Sequence, residues 1–201
     1  MIPQVWLNSY VQNTVGPLLK EKKPQEVAAL RVLDPACGSG SFLIVAYQHL
    51  LDWHKEWYMQ NLVPLIESGR MSDIKKLLPA AASTTKGRKG RRREPELPIY
   101  LGRGEEWKLT TAERKRILLN NIYGVDIDRQ AVEVTKLSLL LKVLEGENEE
   151  TISKQLKLFA ERALPDLSNN IKCGNSLIGW DILEDNIGMG QEEIDRINPF
   201  D

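Results

Sequence analysis

A short apolar run that collapses into a glycine loop constrains this chain more than any other feature. Leu30-Arg31-Val32-Leu33 reads as a buried strand and enters Asp34-Pro35-Ala36-Cys37-Gly38-Ser39-Gly40 directly. Phe42, Ala46, Leu50, Trp53 and Trp57 follow at spacings of 4, 4, 3 and 4, the period of an amphipathic helix. Two later apolar runs, Ile122-Tyr123-Gly124-Val125-Asp126 and Asn170-Ile171-Lys172-Cys173, predict further strands. Between them Val134, Leu137, Leu141 and Leu144 predict the buried stripe of a second amphipathic helix. Strands alternating with helices form βαβ units, so the expected fold is α/β with a parallel sheet. Three strands are few for an open sheet of this kind.

The remaining segments fill in around that frame. Leu7, Val11, Val15 and Leu18 lie at helical spacing, and Gly16-Pro17 predicts a stop or kink there. From 64 to 109 the periodicity dissolves into a loop-rich basic insertion around Lys86-Gly87-Arg88-Lys89-Gly90-Arg91-Arg92-Arg93. Thr110-Thr111-Ala112-Glu113 is a capping box for a helix to about Asn120, and a further helix is expected to end at Leu164. The last 20 residues look unfinished, so the expectation is a piece of a longer protein.

Composition removes several classes. Lys plus Arg is 27 against 28 for Asp plus Glu, a net charge of −1, which excludes a uniformly basic nucleic-acid coat though not a local patch. Two cysteines, Cys37 and Cys173, are no disulfide framework and fit a reducing cytoplasm. No apolar run reaches membrane-spanning length, and no signal peptide opens the chain.

Ligands of open parallel sheets bind beyond the carboxyl ends of the strands, and each of the three strands ends in a polar cluster. At the first, Gly38 and Gly40 let the backbone turn sharply and come close, and the amides opening the next helix can face a carboxylate or phosphate. At the second, Asp126 is placed to accept from both hydroxyls of a ribose. At the third, Asn175 offers an acceptor and donors to the edge of an adenine. The loop is no dinucleotide fingerprint, since Leu43 holds the third glycine position, and no lysine follows to make a P-loop. Ala36 excludes a nucleophile elbow. Asp34 ahead of the loop would repel pyrophosphate and favour a sulfonium, which points to S-adenosylmethionine.

Val32-Leu33-Asp34-Pro35-Ala36-Cys37-Gly38-Ser39-Gly40-Ser41-Phe42-Leu43 resembles the cofactor motif of adenine-specific DNA methyltransferases. Among these it is most similar to type II enzymes in which methylase and endonuclease share one polypeptide. Asn121–Asp128 and Asn170–Leu177 resemble the family's second and third motifs, and Val11–Leu19 its preceding helix, in the family's order. The resemblance implies a Rossmann-like methyltransferase fold with Asp34, Pro35, Ala36, Cys37, Gly38 and Gly40 lining the methionine end of S-adenosylmethionine. It implies Asp126 on the ribose, Ile127 on the adenine face, Asn175 at the adenine amine and Leu177 packed on the ring. Two departures stand out. Met1-Ile2-Pro3 occupies the place of a Tyr-Thr-Pro motif, and the catalytic Asn-Pro-Pro-Tyr is absent. Asn198-Pro199-Phe200-Asp201 lacks its second proline. The chain is therefore expected to hold the methyl donor without the apparatus for the acceptor adenine, which double-stranded DNA would supply through the parent protein. The transfer needs no metal, and no catalytic residue is assigned within the chain.

Plainer roles compete at several positions. Cys37 and Cys173 are expected as small packing residues, and His49 and His54 as surface residues whose spacing of five does not pair them for a metal. Trp53 and Trp57 read as core, with base stacking the alternative for them and Trp107; Asp128 and Arg129 read as capping and surface residues. Arg88, Lys89, Arg91, Arg92 and Arg93 read as a solvated loop or as contacts to DNA phosphates. A methyltransferase for another acceptor, and a non-catalytic DNA-binding or assembly module with a vestigial fold, are the competing functions. Nothing in the sequence sets the oligomeric state.

Overall fold

The computed structural model describes residues 4–78, 97–102, 104–145 and 165–176. Three parallel strands form its centre in the order β1-β4-β5: β1 Val32–Asp34, β4 Ile122–Asp126 and β5 Ile171–Cys173. Val32 pairs with Ile122, and Gly124 with Asp34 on one side and Ile171 on the other. Side chains alternate across the sheet. Val32, Ile122, Gly124 and Ile171 lie on the buried face, whereas Leu33 on the opposite face is 58% exposed. The strand expected at 30–33 is thus shifted, with Val32 its buried anchor.

Two long helices cover the buried face. α4, Ser41–Asn61, starts at Gly40 in the left-handed region and buries Leu43, Ala46, Tyr47, Leu50, His54 and Tyr58 along one side. α8, Arg129–Leu144, starts at Asp128, whose carboxylate accepts from the Gln130 N–H. Its phase differs from the sequence expectation. Val134, Leu137 and Leu141 are 50–59% exposed, and the buried stripe is Val132, Thr135, Leu139 and Val143. Both sets recur at helical spacing; the second can be buried despite its hydroxyl because Thr135 Oγ1 finds a backbone acceptor inside, which removes the penalty of burying it.

The N-terminal stretch breaks where Gly16-Pro17 predicts, into α1 Gln4–Thr14 and α2 Gly16–Leu19. Val11, Val15 and Leu19 are buried, and Leu18, expected in that stripe, is 54% exposed because the break shifts the helical phase. α3 is Pro24–Val27. The segment 64–109, expected as one loop, carries structure at both ends: α5 Val63–Glu67, α6 Met71–Leu77, and an antiparallel hairpin of β2 Ile99–Leu101 with β3 Trp107–Leu109. These elements are too short for a sustained period, but Val63, Ile74, Ile99 and Leu109 tie them to the core. The basic run 86–93, the helix expected before Leu164 and the final tail lie outside the described residues.

α7, Thr111–Asn121, leads straight into β4. Thr110 Oγ1 accepts from the Glu113 N–H as expected, but the box does not close, because the Thr110 N–H donates to Pro98 O and Glu113 turns inward. There the Glu113 carboxylate accepts from Tyr58 Oη at 2.8 Å and from both Arg116 Nε and a terminal Arg116 nitrogen, at 2.8 and 2.6 Å. Two buried amides fix strand spacing. Asn121 Nδ2 donates to Val27 O and Leu30 O below β1, and Asn170 Nδ2 to Leu119 O and Ile122 O below β5. His54, expected at the surface, is fully buried; Nδ1 lies 2.8 Å from Leu50 O, and burial pushes its pKa down to about 4. No helix among the described residues is long and apolar enough to cross a membrane.

Candidate functional site

The carboxyl ends of β1, β4 and β5 are stitched together. The Cys37 N–H donates to Val125 O at 2.9 Å, and the Gly38 N–H to Asp126 Oδ2 at 2.7 Å, so the loop after β1 is bonded to the end of β4. The Gly174 N–H donates to Asp126 O at 2.9 Å, and Ser176 Oγ reaches back to Pro35 O at 2.7 Å, so the turn after β5 is bonded to both. Residues separated by up to 141 positions in sequence thus form one ledge.

The loop itself requires glycine twice. Gly38 and Gly40 have φ of 51° and 81°, where a Cβ is strained. Around Gly38 a Cβ would meet nothing within 4 Å, so the loop is open on that side, whereas at Gly40 it would lie 2.7 Å from Thr135 Cγ2. Gly124 is needed for packing, since a Cβ there would lie 2.7 Å from Leu43 Cδ1 and 3.1 Å from Cys37 Sγ. Cys37 is accordingly a buried packing residue. Burial pushes its thiol pKa up, and the Asp126 and Asp34 carboxylates push it further the same way. A ligand would reach Cys37 through its backbone.

Asp34 Oδ1 accepts from the Ala36 N–H at 3.1 Å, and Asp126 Oδ1 accepts from the Asp128 N–H at 2.9 Å. Each carboxylate retains further lone pairs, and neither meets a Lys or Arg among the described residues. Pro35 and Ala36 are exposed, Asn175 is half-buried beside Ser176, and Ile127 is 75% exposed at the end of β4. Asp34, Pro35, Ala36, Gly38, Gly40, Asp126, Ile127 and Asn175 therefore converge on the same edge; Leu177 and Arg88 to Arg93 lie outside the described residues. Thr135 escaped sequence reasoning: its Oγ1 donates to Gly38 O at 2.8 Å. Its signal was the 3-4-4 spacing of Val132, Thr135, Leu139 and Val143, with a lone hydroxyl among apolar residues.

Two grooves of about 480 and 390 Å³ run along α4 away from the strand ends. Along them Lys55 pairs with Glu106 and Lys142 with Glu145, while Gln48 donates to Asp52 and Arg114 to Val143 O.

Open α/β sheets take their ligands beyond the carboxyl ends of parallel strands, and this chain carries its glycine loop and two acidic residues at that edge. Residues 12–194 match the MmeI DNA-methyltransferase domain, and the chain belongs to that family. It is 34% identical over 191 residues to the type II restriction enzyme and methyltransferase RM.Eco57I of Escherichia coli, a match covering 95% of this chain and 15% of that protein. It is 35% identical over 155 residues to RM.MjaORFECS2P of Methanocaldococcus jannaschii, a match covering 77% of this chain and 9% of that one. The chain thus spans a small part of the length of these relatives.

Proposed function

We propose that this chain is the S-adenosylmethionine-binding part of a DNA adenine-N6 methyltransferase within a restriction–modification enzyme. The observation that carries the reading is the bonded convergence of the glycine loop, Asp126 and the Asn175 turn at one sheet edge. The residues fit the cofactor chemically: the loop is open beside Gly38, and Asp34 and Asp126 place two carboxylates at the edge, paired with no Lys or Arg among the described residues. Bound there, the cofactor supplies an electrophilic methyl group on a sulfonium. Asp34 favours that positive charge, Asp126 accepts from the ribose hydroxyls with the lone pairs its backbone bonds leave, and Asn175 meets the adenine edge. Ile127 supplies an apolar surface for the adenine ring. These residues bind and orient; positioning for in-line transfer carries the rate, and the acceptor is the exocyclic amine of adenine in DNA.

Isothermal calorimetry of the folded chain with S-adenosylmethionine tests the reading. One saturable site is expected, weakened at least about tenfold by Asp126→Ala, the loss of one charge-assisted hydrogen bond. Tritiated cofactor with duplex DNA should leave the DNA unlabelled, because the chain lacks the Asn-Pro-Pro-Tyr tetrapeptide. Duplex DNA binding without cofactor binding would overturn the reading in favour of an assembly module.

A further inference from the structure

Gly38 is gripped on both sides of its α-carbon. Asp126 Oδ2 takes its N–H at 2.7 Å, and Thr135 Oγ1, from the middle of α8, donates to its carbonyl at 2.8 Å. Thr135 is wholly buried, and its methyl group occupies the space that a side chain at Gly40 would need. One side chain therefore both bonds Gly38 and packs beneath Gly40.

The grip has a directional consequence. The peptide bonds described here are trans, and in a planar trans peptide the carbonyl and the following N–H point opposite ways. With the Gly38 carbonyl fixed toward α8, the Ser39 N–H is fixed away from α8. No backbone carbonyl among the described residues accepts it, and Ser39 is exposed. If the Gly38–Ser39 peptide turned over, a carbonyl oxygen would replace that donor and face an anionic ligand group with the wrong sign.

We propose that Thr135 is the positioning residue of the glycine loop: it holds the Gly38–Ser39 peptide in the one orientation that presents the Ser39 N–H to a carboxylate of the bound ligand. The ligand part rests on the reading of the strand ends as the cofactor site; the loop-holding part does not.

Thr135→Val keeps the shape beneath Gly40 and removes the hydroxyl, whereas Thr135→Ser keeps the hydroxyl and removes the methyl. Val143→Ala, two turns further along the same helix, is a buried substitution remote from the loop and controls for loss of stability. Calorimetry with S-adenosylmethionine should give a Kd about tenfold weaker for Thr135→Val, near wild type for Thr135→Ser, and unchanged for Val143→Ala. Amide hydrogen exchange without ligand should speed about tenfold at Gly38 and Gly40 in Thr135→Val alone. The proposal is overturned if Thr135→Val exchanges and binds like wild type, or if Val143→Ala loosens the loop as much. Faster loop exchange in a chain that binds no cofactor supports the grip and overturns the cofactor reading instead.

Discussion

Gly38 and Gly40 share a turn and a positive φ but differ in what surrounds them, and substituting each with Ala separates backbone strain from steric exclusion. At Gly38 a new Cβ meets nothing within 4 Å, so only the left-handed backbone penalises it. That penalty is about 1–2 kcal/mol, partly offset by about 0.4–1 kcal/mol from the stiffer unfolded chain, leaving about 1 kcal/mol. At Gly40 the same strain applies, and the Cβ would lie 2.7 Å from Thr135 Cγ2 and 2.9 Å from its Oγ1. Thr135 is fully buried and bonded to Gly38 O, so it cannot swing away freely. Overpacking of a core adds about 1–3 kcal/mol, which brings Gly40→Ala to about 2–4 kcal/mol. At about 2–4 °C per kcal/mol for a chain of this size, Gly38→Ala lowers Tm by about 2–4 °C and Gly40→Ala by about 4–16 °C. Urea unfolding with an unchanged m-value, together with thermal melts, measures both. Equal losses, or a larger loss at Gly38, would refute the claim that Thr135 seals the underside of the loop.

Other parts of the structure give independent expectations. Acid should destabilise the protein through His54: its folded pKa of about 4 lies below the ordinary value of about 6.5, so the unfolded chain takes up the proton first. Stability present above pH 6.5 is then lost as pH falls toward 4, by about 2 kcal/mol at pH 5 from this group. Urea midpoints across pH 5–7 should flatten in His54→Phe; an unchanged slope would contradict the burial of His54. Glu113→Gln leaves Arg116 and Tyr58 without their shared acceptor charge and should cost about 2–3 kcal/mol by denaturant titration, a neutral result arguing against this packed trio. Asn170→Ala removes the donor, just ahead of β5, that serves Leu119 O in α7 and Ile122 O at the start of β4. It should cost about 1–3 kcal/mol, with hydrogen exchange rising first at β5.

What the sequence made legible was local. Strand, glycine turn and helix are adjacent in the chain, so Val32, Gly38, Gly40 and the start of α4 could be read from neighbouring residues. β4 was read to its observed ends because Asp126 closes an uninterrupted apolar run. The phase of α8 was not legible in this way. Val134, Leu137 and Leu141 make as regular a stripe as Val132, Thr135, Leu139 and Val143, and the acceptor that lets Thr135 be buried is a carbonyl 97 residues away in sequence. The same long-range accounting hid the burial of His54, which is settled by the elements packed around α4 and not by its own neighbours in sequence. Hairpin β2–β3 was illegible because each strand is three residues long, too short for a period to emerge. The acidic residues of the site were legible by type, but their bonds to backbone amides, which join three strand ends, emerge only once the sheet is assembled.

The central claim is that the three strand ends form one cofactor site, and a titration of the isotopically labelled chain with S-adenosylmethionine, followed by amide NMR, tests it most directly. The account requires saturable shifts concentrated at 36–40, 126–128 and 174–176, with the α4 grooves unmoved. Shifts clustered at Gln48, Asp52 and Lys142, or none at saturating cofactor in a folded sample, would contradict it.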